Sequence, residues 1–392
     1  MLNEIKEDQS KIAVVVVGYN RYHGLKRLLD NLNSCNYPDY GVPLIISVDA
    51  SGNEEVYDLV NNFNWNHGYK IVNIEKQRLG LKKHILQCGS LTRFFKAVIL
   101  LEDDLYVAPD YYDFAEIMID YYGKDNRISG ISLYEPEIND HVGFPFHPLK
   151  NGYDVFAWQR VNTWGQIWTW SMWEPFITWY NQWDEDFSNI DIPIRIKKFK
   201  RAWSKYYSAY CAMNKKFFIY PYESLLTNFN DSGGVHSFGD NSIPQVSLLQ
   251  YKKNYKCGKF EELVKYDIYG QNHEIPSWLS ICSDEITIDL YGLNDKYRGR
   301  YILCPYKLSY KVICSFGVCM RPLEINIKNK IDGNDIFLYD RGFADATSAP
   351  TRHFKYDYIS YHLQGFNPKC LLKYLPVFIF RYLKTKILSK LR

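Results

Sequence analysis

The first hundred residues alternate between apolar runs and helix-spaced segments. Ile12 to Val17 reads Ile-Ala-Val-Val-Val-Val, a continuous β-branched run of the kind a strand buried on both faces requires. His23 to Asn33 follows, with Leu25, Leu28, Leu29 and Leu32 at helical spacing. Leu44 to Val48 predicts a second buried strand. Asn53 to Phe63 predicts a helix, with Asn53 and Glu54 suited to its first turn. Lys70 to Ile74 is a third strand, Leu81 to Phe95 a helix, and Ala97 to Leu101 (Ala-Val-Ile-Leu-Leu) a fourth strand. Strand and helix in strict alternation imply a parallel α/β sheet with right-handed crossovers. In open sheets of this kind ligands sit at the carboxyl ends of the strands. The polar residues just past each strand are therefore where chemistry is expected.

Beyond residue 125 the pattern is mixed. Ile128 to Leu133 reads as another strand, and seven of the ten Trp fall between residues 156 and 187. Most of these rings are expected to be structural, since Trp usually buries a large area. After residue 245, Tyr- and Lys-rich segments with short alternating runs (Glu285 to Leu290, Ile336 to Tyr339) give an α+β reading. No repeat or low-complexity linker interrupts the 392 residues, a length that suits two to three domains. The division expected is a nucleotide-binding domain over 1–245, an extension over 246–368 related to an acceptor, and a tail over 369–392.

Charge changes the picture at the C-terminus. The formal net charge is +3, too small for the electrostatic footprint of a nucleic-acid-binding protein. Yet Lys369, Lys373, Arg381, Lys384, Lys386, Lys390 and Arg392 fall in a tail without one acidic residue, which leaves the rest of the chain net acidic. After Pro376, the residues Phe380, Leu383, Ile387 and Leu391 share a helical face, although Ile379 and Tyr382 blur the polar side. A basic amphipathic helix over 370–392 is expected to lie on an anionic membrane surface; a helix docked on the body is the other reading. The nine Cys are scattered with no Cys-x-x-Cys pair, so neither a zinc ribbon nor a disulfide frame is indicated. Residues 1–10 are polar, and no stretch of 18 or more apolar residues occurs. The expected setting is reducing and cytoplasmic, at the inner face of the plasma membrane.

Glu102-Asp103-Asp104 follows directly on the fourth strand. Three carboxylates at the mouth of a buried strand need a counter-charge. A divalent cation supplies one, and hard oxygen ligands suit Mg²⁺ or Mn²⁺, which also bind diphosphate oxygens. The bland alternative is a solvated acidic loop. Pro109 and Asp110 are expected in the first turn of the next helix.

The segment 100–114, Leu-Leu-Glu-Asp-Asp-Leu-Tyr-Val-Ala-Pro-Asp-Tyr-Tyr-Asp-Phe, resembles the strand, acidic triplet and helix block of GT-A glycosyltransferases, most of all the N-acetylglucosaminyltransferase I family. Residues 14–21, 44–51, 79–84, 163–173 and 233–239 are similar to family blocks in the same order, so the resemblance covers roughly residues 12 to 245. It implies a Rossmann-like nucleotide-binding sheet and a UDP-sugar donor. Asp104 would be the direct metal ligand, with Glu102 and Asp103 serving the ribose or the surroundings of the metal. Asp49 would accept from the uracil imide, His84 would contact the base, and Arg21 would help bind the nucleotide. Gly165, in Trp164-Gly165, would allow close backbone approach beneath the sugar. A carboxylate in Trp183-Asp184-Glu185-Asp186 would be the general base: counting from Gly165 favours Asp186, and matching the Trp-acid-acid string favours Glu185. His236, in Gly-Gly-Val-His-Ser-Phe-Gly, would sit in a loop ordering over the donor. Each has a plainer alternative: a helix start for Arg21, a turn for Asp49, a helix-surface histidine for His84, an acidic turn for Asp186.

The function implied is metal-dependent, inverting transfer of a sugar, GlcNAc by resemblance, from a UDP-sugar to a glycan or lipid-linked acceptor in surface polysaccharide synthesis. Two rivals remain. A nucleotidyltransferase would share the α/β domain but usually carries a Gly-rich basic loop after the first strand, where this chain has Gly-Tyr-Asn-Arg-Tyr-His-Gly. A non-catalytic glycan-binding protein would be built on the Trp segment.

Overall fold

The computed structural model describes residues 7–139, 141–184, 186–200, 202–231, 244–294 and 296–345, together with nine positions between 369 and 383. The chain divides into two compact units. The first (residues 1–137, 148–229 and 243–273) carries β1 (Asp8–Gly18), α1 (Tyr22–Asn33), β2 (Leu44–Val48), α2 (Glu54–Asn62), β3 (Lys70–Ile74), α3 (Leu81–Gly89), β4 (Phe95–Glu102), β5 (Leu105–Val107), α4 (Tyr111–Tyr122) and β6 (Ile128–Ser132). The hairpin β7 (Ile138–Asn139) and β8 (Phe144–Pro145) belongs to the second unit. The first unit then continues with β9 (Val155–Trp158), β10 (Gln166–Trp168), α5 (Trp170–Gln182), α6 (Ile194–Lys197), α7 (Trp203–Met213), β11 (Phe217–Pro221), β12 (Leu226–Asn228) and β13 (Lys265–Tyr266).

Nine of these strands form one sheet in the order β13-β9-β11-β6-β10-β4-β1-β2-β3. β3, β2, β1 and β4 are mutually parallel, in the order the alternating pattern predicts. β10 enters antiparallel to both β4 and β6, so that β6 points the same way as β4. The carboxyl ends of β1, β2, β3, β4, β6 and β11 therefore share one edge. Val14, Val15 and Val16 on β1 and Ala97 to Leu101 on β4 are fully buried. Each such aliphatic side chain contributes roughly 1.5–3 kcal/mol relative to exposure, and these stretches of β1 and β4 are apolar throughout.

Helix boundaries differ from the sequence expectation in two places. The helix expected over Leu81 to Phe95 ends at Gly89, and a 3-10 turn over Ser90–Arg93 leads into β4. At Gly89 an added Cβ would stand 2.3 Å from the Trp173 ring, so tertiary packing of α5 fixes the break. Pro109 and Asp110 stand ahead of α4, which begins at Tyr111. The Asp110 carboxylate accepts from Asn36 Nδ2 (2.9 Å) and caps no helical N–H. Asn53 caps α2, its side chain accepting from the N–H groups of Glu55 and Val56. The Trp-rich segment is largely core. Trp158, Trp168 and Trp173 are fully buried, Trp168 stacks on Tyr207, and Phe176 lies 3.9 Å from the same tyrosine ring.

The second unit takes residues 138–147, 230–242 and 274–392. It contains α8 (Ile275–Trp278), β14 (Ile286–Ile288), β15 (Tyr301–Cys304), β16 (Tyr310–Phe316), α9 (Ile325–Lys328) and β17 (Ile336–Ala344). Its sheet runs β14-β15-β17-β16 over a core that includes Leu290, Leu303, Leu323, Ile327, Ile336 and Leu338. The nine described tail positions are helical and exposed. Among the described residues no helix is long and apolar enough to cross a membrane.

Candidate functional site

The shared carboxyl edge gathers the polar residues that follow each strand. Arg21 stands three residues past β1, in the turn before α1. Its guanidinium reaches the end of β4, donating through Nη1 to Asp104 Oδ2 (3.1 Å) and through Nη2 to Asp103 Oδ1. All three side chains are at most 14% exposed. Burial works against the charge on Arg21, but the two carboxylates outweigh it and hold the guanidinium above its ordinary pKa. Burial pushes Asp103 up to about 6, with Arg21 pulling in the opposite direction. Burial, then the neighbouring charges of Asp104 and Asp103, hold Glu102 well above the carboxylate range.

Asp104 Oδ1 is different. It is sealed from solvent and has no hydrogen-bond partner among the described residues. A buried acceptor without a donor is costly, and a cation removes that cost. Among the described residues no group of three or more His, Cys, Asp or Glu converges as a metal cluster. One carboxylate oxygen nevertheless fits Mg²⁺ or Mn²⁺, which commonly take one or two carboxylates and complete their shell with water and substrate phosphate. The donor set at the end of β4 is therefore compatible with the metal the sequence implies, with Asp104 as its protein ligand.

The backbone around Asp104 is fixed from the far side. β5 pairs with β12 in a two-stranded ribbon, and the Phe229 N–H donates to the Asp104 carbonyl (2.9 Å). Arg27 lies 3.7 Å above the Phe229 ring and braces the same ribbon.

Asp49, just past β2, is 4% exposed. Its Oδ1 accepts from the N–H of Ala50 (2.9 Å) and Leu79 (2.8 Å), and its Oδ2 from the N–H of Gly80 (2.9 Å). The carboxylate thus clasps the turn that opens α3. A carboxylate has about four acceptor positions, so three backbone donors leave one free. His84, on α3, is a buried residue, and its Nε2 lies 2.7 Å from Ser47 Oγ. Burial lowers its pKa against the opposing pull of Asp49 and Glu75, so the imidazole is neutral at physiological pH. Arg21, Asp49, His84, Glu102, Asp103 and Asp104 all lie on this one edge or immediately beneath it.

Gly165 joins them from β10. The Leu133 N–H donates to its carbonyl (2.9 Å). Its φ is +66°, and an added Cβ would stand 2.5 Å from Leu226 Cδ1, so only glycine fits. β10 pairs Gln166 with Leu100; continued by two residues, that register places Trp164 at the Glu102 end of β4.

Asp186 lies elsewhere, beyond the C-terminus of α5. It is exposed, and its carboxylate accepts from Ser188 N–H (2.8 Å) and Ser188 Oγ (2.9 Å), which together hold its pKa below the ordinary value. No hydrogen bond or ion pair joins it to the Arg21–Asp104 cluster among the described residues. Glu185 and His236 lie outside the described residues.

Three polar residues of the edge were missed by sequence reasoning. Glu75 follows β3 and accepts from Asn73 Nδ2 and Gln87 Nε2 (2.7 Å each). Arg78 lies over the Tyr19 ring at 4.9 Å. Glu135 follows β6, and its N–H donates to Ser224 Oγ (3.0 Å). Applying the strand-end rule to β3 and β6 as strictly as to β4 finds all three.

No known family profile and no curated protein matches this sequence. Among solved structures, S. aureus TarS 1–349 in complex with UDP-GlcNAc aligns at 14% identity over 59% of this chain and 61% of that one, with a TM-score of 0.39. GalNAc-T7 with UDP, GalNAc and Mn²⁺ aligns at 13% identity over 55% and 43%, with a TM-score of 0.38. A mannosyltransferase, PcManGT from Pyrobaculum calidifontis with GDP-Man and Mn²⁺, aligns at 14% identity over 44% and 49%, with a TM-score of 0.32. The chain spans less than two thirds of each of these proteins. Overlaps this loose carry no argument, and the α/β class rests on the sheet described above.

Proposed function

We propose that this chain is a metal-dependent, inverting glycosyltransferase of GT-A fold. It moves a sugar, N-acetylglucosamine by resemblance, from a UDP-sugar to a hydroxyl of a glycan or lipid-linked acceptor. The observation that carries this reading is the sealed, donor-less Asp104 Oδ1 at the mouth of the central strand, beside Arg21, Asp103 and Glu102. The ordered sequence blocks support it, as does the sharing of one sheet edge by Arg21, Asp49, His84, Asp104 and Gly165.

The chain's own groups divide the work. Asp49 holds the Leu79–Gly80 turn and keeps one acceptor position for a donor such as the uracil imide. Neutral His84, set by Ser47, packs beneath the base site. Arg21 supplies positive charge where the diphosphate arrives. Asp104 would hold a divalent cation, which would offset charge building on the departing diphosphate. A carboxylate, Asp186 or Glu185, takes the proton of the acceptor hydroxyl as that oxygen attacks the anomeric carbon. Asp186 is exposed, as the base of an open acceptor site would be, but its Ser188 contacts weaken its basicity, so Glu185 is an equal candidate.

The deciding experiment is a thermal-shift titration of the full chain with UDP, with and without Mn²⁺. Stabilisation by UDP that depends on Mn²⁺ is expected, and no UDP effect in either condition overturns the assignment. Given binding, Asp186→Asn and Glu185→Gln are compared for turnover. One of them should lose about 10²- to 10⁴-fold while retaining UDP affinity, and wild-type turnover in both removes the base from this segment.

The tail supports a peripheral membrane location at the cytoplasmic face. Leu372, Leu375, Ile379 and Leu383 are exposed and spaced by three and four residues, so they share one helical face. Ile387 and Leu391 lie outside the described residues. Deleting residues 370–392 should release the protein from liposomes containing anionic lipid, and unchanged sedimentation with them refutes the membrane role.

A further inference from the structure

Glu135 is a carboxyl group of the site edge for which the reaction above has no use, and unlike Glu75 it has no side-chain partner among the described residues. It stands three residues past the end of β6, whose carboxyl end points the same way as that of β4 with only β10 between them. At about 4.8 Å per strand, that separation is about 10 Å, the distance a hexose spans when its diphosphate is held at Asp104. Glu135 is half-buried, yet its carboxyl makes no hydrogen bond or ion pair among the described residues. Its backbone is fixed, because its N–H donates to Ser224 Oγ and Leu225 N–H donates to the Leu133 carbonyl. Beside it, Tyr134 meets Trp164 edge-on with ring centroids 4.9 Å apart, and the Trp164 ring is half-buried. A partly open aromatic ring next to a carboxyl with unused hydrogen-bonding capacity is what a pyranose needs. The ring covers its C–H face, and the carboxyl meets its hydroxyls.

We propose that Glu135 is a specificity-determining residue that hydrogen-bonds a hydroxyl of the transferred sugar, seated against Trp164. The proposal rests on the glycosyltransferase reading and adds the residue that recognises the donor's hexose. The charged groups facing the carboxyl are Glu137, from the same segment, and Lys150, from the approach to β9. Burial, then Glu137, raise Glu135 to about 8 against the opposing Lys150. At neutral pH the carboxyl therefore keeps its proton and donates to a sugar oxygen. As pH rises through 8 it becomes a carboxylate that only accepts.

The test is calorimetry on the full chain in Mn²⁺, with UDP and with whichever of UDP-Glc, UDP-Gal, UDP-GlcNAc and UDP-GalNAc binds tightest. Glu135→Ala should weaken the UDP-sugar by about 10-fold and leave UDP unchanged. Glu135→Gln, whose amide still donates and accepts, should restore most of that loss. In the wild type the advantage of the UDP-sugar over UDP should shrink from pH 7 to pH 9, and in Glu135→Gln it should stay flat. An unchanged UDP-sugar affinity in Glu135→Ala, or an equal loss for UDP, overturns the proposal while leaving the transferase reading standing. A wild type that binds neither ligand overturns both.

Discussion

The chain carries two runs of three consecutive acids, and the structure treats them in opposite ways. Glu102-Asp103-Asp104 closes a fully buried strand. Its charge is drawn inward, met by the Arg21 fork, and leaves one carboxylate oxygen with no donor. Asp184-Glu185-Asp186 follows an amphipathic helix, where Asp184 and Asp186 are exposed and Asp186 is satisfied by a serine two residues away. The difference teaches that composition does not make a cation site. A carboxylate oxygen withdrawn from water and left without a donor is the one that calls for a counter-charge.

Four substitutions break or sharpen this contrast. The largest effect is expected for Asp104→Asn, which keeps the shape of the side chain but removes the negative charge. Mn²⁺-dependent UDP stabilisation should vanish, and turnover should fall by about 10³-fold; retention of both would place the metal elsewhere. Arg21→Met should follow. It leaves two buried carboxylates without their partner, and breaking such a pair costs about 3–5 kcal/mol, read by urea unfolding without metal. Mn²⁺ should recover part of that loss, and should stabilise the variant more than it stabilises the wild type. Smallest is Asp186→Asn, which alters an exposed turn and should shift unfolding by less than about 0.5 kcal/mol. A larger shift would show that the second acidic run is more tightly built than its exposure suggests. Between these lies Gly165→Ala, where a positive φ and the contact with Leu226 predict a loss of about 1–3 kcal/mol, measured by the same unfolding curves.

β1, β2 and β4 were legible because their inner stretches are buried on both faces and so are largely apolar, whereas β3, half-buried along its length, was legible from its place in the alternation. The Leu residues of α1 were legible because a helix against a sheet must repeat at 3.6 residues. Strand ends located Arg21, Asp49 and Asp104 for the same reason. What the sequence hid was decided by partners far along the chain. Gly89 ends α3 because of Trp173, Asp110 turns to Asn36, and Asp49 receives two of its three donors from residues 79 and 80. The first compact unit includes residues 243–273, where β13 pairs with β9 on a register of two residues. A pairing that short leaves no periodicity to read. Glu135 stayed hidden because a single Glu after a short strand looks like surface, and only its half-burial and idle carboxyl set it apart.

Both prongs of the Arg21 fork already face inward, gripping the protein's own acids. That grip offsets the charge of the acids, so an approaching polyanion would meet less repulsion than bare carboxylates present. A cation drawn to the donor-less oxygen of Asp104 would find the other oxygen already held in place by the arginine. The arginine is in this sense a splint, limiting the rotation of both carboxylates it grips.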